Sequence, residues 1–153
     1  MKTSALGILS GTILVAMGMS EAIVAAEAEV AELANTLRTN DLALVALINI
    51  PEKVDLREAI VVSKRTALIN VWSLRPATYD DSGRERHLRR VETETMGAVA
   101  RLLGLPPCPF PRCALSEWKT EAELDLKSRN LCPPCGDKAE RIINLRGAAL
   151  PAQ

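Results

Sequence analysis

The sequence predicts an α+β (α/β) chain: a compact single domain in which a small mixed sheet packs with helices and a cysteine-bearing C-terminal segment closes the fold. Three observations predict it. Across residues 11–104, short apolar runs rich in Ile and Val alternate with stretches of helical periodicity. Four prolines between Leu105 and Cys113 then break that pattern. All four cysteines fall between Cys108 and Cys135. The 153 residues fit one core that removes roughly two-thirds of the unfolded surface from water. Residues 1–153 are therefore read as one domain, with a sheet-and-helix part over 11–104 and a cysteine part over 105–147.

Thr12 to Gly18 reads as a buried strand. A helix follows, with Ile23, Val30, Leu33 and Leu37 on one face and Glu21, Glu27, Glu29 and Glu32 mostly on the wet side. The same N-terminus has a competing reading. Lys2, the apolar run Ala5 to Met19 and the small residues Val24-Ala25-Ala26 resemble a secretory leader over 1–26. Ser4, Gly7, Ser10, Gly11 and Thr12 interrupt that run, which favours the strand and a cytoplasmic protein. The run is also too short and polar to span a bilayer, so no membrane partner is expected.

Asp41 to Ile50, closed by Pro51, predicts an interior strand. Ala59–Ser63 and Ala67–Leu74 predict two more, joined as a hairpin by Lys64-Arg65-Thr66. Arg75-Pro76 ends the second of these. Asp81 or Ser82 is expected to cap a helix over Arg84–Leu103, with Leu88, Val91, Thr95, Ala98, Val99 and Leu102 facing the core and Gly104 ending it. Thr120 and Glu123 predict a capping box for a short helix ending near Leu126. A last helix is expected over Asp137–Leu145, ended by Gly147.

Composition excludes several classes. Nineteen basic and nineteen acidic side chains balance, and apolar residues make up 48%. No excess charge attracts nucleic acid, and only four aromatic residues could stack on bases. The local cluster Arg84, Arg86, His87, Arg89 and Arg90 spreads around its helix and reads as a solvated face. A monomer with no nucleic-acid partner is expected.

The cysteines follow a C-x4-C pattern, then eighteen residues, then C-x2-C. Two close pairs on a short segment are how a chain offers four thiolates to one tetrahedral zinc. Cys108, Cys113, Cys132 and Cys135 are thus expected to hold one ion, with no open position for water, so that the site is structural. Two disulfides are the alternative, and they require export.

From Thr66 to Leu145 the motifs resemble the archaemetzincins, a family of small single-domain zinc peptidases. The residues that carry the resemblance are Leu74-Arg75-Pro76, the long helix ending in Leu102-Leu103-Gly104-Leu105, Cys108 and Cys113, the segment Glu123-Leu124-Asp125-Leu126-Lys127-Ser128, and Cys132-Pro133-Pro134-Cys135. The resemblance implies a metzincin-like fold, a long former active-site helix and the four-cysteine zinc site. It also implies a helix motif HExxHxxGxxH followed by the first structural cysteine. Anchored on Gly104 and Cys108, the histidine slots fall on Gly97, Arg101 and Pro107, the general-base glutamate on Ala98, and the methionine beneath the metal on Leu115. Gly97 and Pro107 have no side-chain donor, a guanidinium does not ligate, and Ala98 takes no proton. His87 is the one histidine, roughly 15 Å up the helix from position 97, and is expected at the surface. Glu94 is expected to be solvated or ion-paired.

These readings predict no catalytic residue and a degenerate family member, a pseudopeptidase with a cleft for a peptide or protein partner. The two alternatives are a hydrolase with an unconventional metal site and a small zinc-binding interaction module.

Overall fold

The computed structural model describes residues 13–16, 30, 32–38, 41–52 and 56–148. Among them a mixed four-stranded sheet organises the chain. Strands β1 (Ile13–Ala16), β2 (Leu44–Ile48) and β4 (Thr66–Asn70) run parallel, and β3 (Glu58–Val61) pairs antiparallel with β4 at one edge, giving the order β1-β2-β4-β3. The helices from residue 81 onward are α1 (Asp81–Leu102), α2 (Glu121–Leu126) and α3 (Pro133–Ala148).

The strand β1 falls inside the predicted Thr12–Gly18. The positions of Ile23, Glu21, Glu27, Glu29 and the Val24–Ala26 segment lie outside the described residues. Val30 and 32–34 are helical, and Val30 is buried against Ile48, Ile50 and Leu68. On the other sheet face Val45, Ala67 and Ile69 meet Ala98 and Leu102 of α1. All five residues of β4 are buried, because both faces are covered.

The second predicted strand of the hairpin is shorter than its apolar run. β4 stops at Asn70, and Val71–Leu74 is a 3-10 turn. Asn70 explains the stop. Its side-chain oxygen accepts from the N–H of Trp72 at 3.2 Å and of Ile50 at 3.0 Å, and its amide donates to the Ile50 carbonyl at 3.1 Å. The side chain thus offers the backbone an alternative to the ladder. The first strand likewise gives way to a 3-10 turn over Val62–Lys64, and the hairpin turns through Arg65 at φ 54°.

The helix α1 starts earlier than Arg84 because Asp80, not Asp81 or Ser82, is its cap, accepting from the N–H of Gly83 at 2.7 Å. Its end follows the prediction. Gly104, at φ 94°, donates to Arg101 O while Leu105 donates to Ala100 O, the paired bonds of a Schellman closure. Two side chains of α1 depart from the expected faces. Leu88, expected in the core, is 60% exposed, and Arg90, expected in water, is 2% exposed. The helix buries Arg90, Thr93, Glu94 and Gly97, polar or small residues that an apolar periodicity does not register.

Arg90 is the clamp between α1 and α2. It donates to both carboxylate oxygens of Asp125 at 2.7 Å, to Glu121 at 3.1 Å and to Leu74 O at 3.2 Å. The Arg90 guanidinium holds the Asp125 carboxyl below its ordinary range. The capping box of α2 forms as predicted, with Thr120 and Glu123 exchanging bonds. The last helix begins at Pro133, not Asp137, since prolines are tolerated in a first turn whose N–H groups have no partner. It runs through Gly147 to Ala148 instead of ending there.

Candidate functional site

The cysteine centre is built by two loops zipped together by their backbones. Cys108 N–H bonds Leu115 O, Ala114 N–H bonds Asn130 O, and Ser128 N–H bonds Arg112 O. Prolines keep the first loop out of helix and strand, and Ser116 tightens it by donating to Cys113 O at 2.8 Å. The second loop feeds α3, so Cys132 stands at the start of that helix and Cys135 inside its first turn. Cys135 N–H and Gly136 N–H both bond Cys132 O. Ala100, Leu103, Leu105, Leu115 and Ala139 pack around the sulfurs.

The four Sγ atoms lie within 4.8 Å of one another, and Cys108 and Cys132 are 3.7 Å apart. Zinc–sulfur bonds of about 2.3 Å give a tetrahedron with edges of about 3.8 Å, so the cluster fits a four-thiolate ion. A disulfide would need about 2.05 Å. All four are free thiols. Cys132 N–H donates to Cys113 Sγ at 3.3 Å, the kind of bond that steadies a thiolate. Burial raises the Cys113 thiol and, with the neighbouring thiols adding, pushes Cys135 up to about 12, while the backbone N–H of Cys135 lowers Cys132. Loading a metal therefore displaces protons.

A cleft of about 400 Å³ lies between β3, α1 and the cysteine loop. It brings together three of the positions onto which the resemblance maps family site residues, Arg101, Pro107 and Leu115, and also Glu94. Arg101 reaches across to the edge strand and grips Glu58 with two parallel bonds of 2.6 and 2.8 Å. Its Nε also leans on Gly97 O at 3.4 Å. Gly97 is buried where the helix touches the cysteine loop. A Cβ added there would lie 2.7 Å from Ala114 O and 3.8 Å from the nearest nitrogen of Arg101. Ala98 does not line the cleft. It is fully buried among Val45, Ile69 and Leu102.

Deeper in the cleft Glu94 and Lys127 form an ion pair of 2.6 Å, with side chains 6% and 2% exposed. The other oxygen of Glu94 accepts from the Trp118 indole N–H at 2.9 Å. The Arg57 guanidinium lies over the Trp118 ring, 4.6 Å from its centroid. Glu94 is thus ion-paired, as one of its two expected states, and it is buried rather than solvated. His87 departs from the expected surface histidine. It is half-buried, with Nε2 against Val71 O at 2.7 Å and Nδ1 against the Tyr79 hydroxyl at 3.1 Å. The residues that sequence reading missed are Arg57, Glu58, Trp118 and Lys127. No local pattern marks them, because each meets its partner across a long stretch of chain.

No protein-family model matches the chain. An archaemetzincin from Pyrococcus abyssi is 29% identical over 80 residues, covering 52% of this chain and 43% of the relative. The match thus spans under half the length of that protein. The fold is similar to the archaemetzincin of Methanopyrus kandleri, with TM-score 0.62 and 21% identity over 78% of this chain and 65% of the other. It is also similar to a zinc-dependent peptidase from Methanocorpusculum labreanum, with TM-score 0.58 and 17% identity over 76% and 71% of the two chains. An archaemetzincin of Archaeoglobus fulgidus, complexed with malonate, gives TM-score 0.52 and 19% identity over 71% and 67%. The chain is thus similar in sequence to an archaemetzincin over 52% of its length, and it has the fold of those zinc peptidases and a cysteine cluster arranged to bind metal.

Proposed function

We propose that this protein is a pseudopeptidase: an archaemetzincin-like scaffold with one structural zinc in its cysteine centre and a cleft that binds an extended peptide without hydrolysing it. The observation that carries the reading is the Arg101–Glu58 pair. Where the resemblance places a histidine ligand, a permanent cation is fixed by two charge-assisted bonds. A dication beside that guanidinium would be repelled at short range. The composition supports the same reading, since the 153 residues hold one histidine and it is engaged with Val71 and Tyr79.

Peptide binding is favoured by the outer edge of β3, which pairs with no strand among the described residues. Ala59 and Val61 alternate with Glu58 and Ile60 along the ladder to β4, and the N–H of Asn70 is given to Arg57 O. Arg57, Ala59 and Val61 therefore turn their main-chain groups toward β4, and Glu58 and Ile60 turn theirs outward. The outward groups sit beside the cleft and can pair with an extended segment.

The cysteines Cys108, Cys113, Cys132 and Cys135 would hold the zinc, and four thiolates leave it no position for a reacting water. The experiment is metal content per chain under reducing conditions, with free thiols counted before and after chelation and with hydrolysis of peptide pools followed in parallel. One zinc, four thiols released and no hydrolysis are expected. Two zincs with turnover would establish a working peptidase in place of this reading.

A further inference from the structure

The cleft's charges are unevenly spent. Glu58 is committed to Arg101 and Glu94 to Lys127. Arg57 is exposed, and among the described residues its guanidinium has neither ion pair nor hydrogen bond; its one contact is the Trp118 ring. A guanidinium carries all its donors in its own plane, where a planar carboxylate can take two of them. Lys119 and Glu117 line the same cleft and add one charge of each sign, so outside the two ion pairs its lining holds two cations against one carboxylate.

The ring under Arg57 is itself fixed. Glu94 and Lys127 are buried as a pair, and such pairs contribute little net stability once desolvation is counted. What this pair does is aim one carboxylate oxygen at the indole N–H and so set the plane of Trp118. The chain of contacts runs from a buried ion pair, through an indole, to an oriented cation at the mouth of the cleft.

Resting on the peptide-binding reading above, we infer that Arg57, seated on Trp118, anchors the C-terminal carboxylate of a peptide paired antiparallel with β3. Direction decides which end arrives. Arg57 immediately precedes β3, so an antiparallel peptide finishes beside it, whereas a parallel one would bring its terminal ammonium against Arg57 and Lys119. Antiparallel addition pairs opposite charges and parallel addition pairs like ones. Arg57 is a binding residue, and Trp118, Glu94 and Lys127 are positioning residues.

The test uses the full zinc-loaded chain and three fluorescein-labelled hexapeptide pools. One pool lacks Asp and Glu and ends in a free acid. The second has the same composition and ends in an amide. The third is amidated and contains one internal Glu. Binding is read by anisotropy, and the Trp118 indole resonance reports whether the peptide reaches the site. The free-acid pool is expected to bind about tenfold tighter than either amidated pool. In Arg57→Ala its affinity falls to that of the amide, and Arg57→Lys recovers part of the preference. Because Arg57 is exposed, these variants fold, and circular dichroism checks that they do.

Equal affinity for acid and amide would overturn the anchor and leave the peptide-binding cleft standing. Equal affinity for the free acid and the internal-Glu pool would overturn the terminal assignment. Binding by no pool would overturn both the anchor and the reading it rests on.

Discussion

Single side chains decide what the cleft can be. Gly97 sits where a Cβ would lie 2.7 Å from a main-chain oxygen, so Gly97→His forces helix and loop apart. We expect it to lower stability by about 2 kcal/mol or more, read from urea midpoints. For the same reason, placing His at 97, 101 and 107 and Glu at 98 together is expected to leave metal content at one zinc per chain. Lys127→Ala strands the Glu94 carboxylate in the interior and is expected to cost about 3–5 kcal/mol, whereas replacing both partners with apolar residues costs less. A double-mutant cycle in urea checks the difference. The identities at 97, 98, 101 and 107 were legible in the sequence, since each is a statement about donor chemistry. The partners Glu58 for Arg101 and Trp118 for Arg57 were not, because ion pairs and stacking across 43 and 61 residues of chain leave no periodic trace.

Among the elements, strands and helices were legible where apolar spacing and caps agree. The interior strand, the hairpin, the capping box at Thr120 and the closure at Gly104 all follow from local rules. The 3-10 turn after Asn70 did not, because Val71, Trp72 and Leu74 continue the apolar run past the point where a side-chain amide takes over the backbone's bonds. Leu88 and Arg90 were assigned to the wrong faces because α1 packs partly through charge. That clamp has a pH signature. The folded Asp125 carboxyl lies below its ordinary 3.8, so its contribution is complete above that value and is lost as pH falls through the lowered one. Asp125→Asn is therefore expected to be less stable than the parent at pH 7, with the gap in urea midpoint closing below about pH 3.8. Acid lability of the thiolates adds to both chains alike.

On the scale of the whole molecule, two kinds of cohesion divide the chain. The sheet, α1 and α2 share an apolar core of Val45, Ile69, Leu74, Leu102 and Leu124. The loops and α3 instead depend on the sulfur cluster and a thin shell around it. Four-thiolate zinc sites contribute on the order of 10 kcal/mol, enough to decide whether such a segment folds. Chelation is expected to strip hydrogen-exchange protection from residues 105–116 and 131–148 first, while β2, β4 and α2 keep theirs. Exchange measured by mass spectrometry, before and after a chelator, checks this.

The main-chain contact at Gly97 also bears on how such a protein can change with time. A metal site is regained by mutation only through intermediates that fold, and here the first step meets a wall of backbone. A side chain enters position 97 only after the loop bearing Ala114 has withdrawn, and that loop is tethered by Cys113 on one side and Leu115 on the other. On the pseudopeptidase reading proposed above, losing such a site is a downhill path with many entrances, while its reversal needs several changes at once.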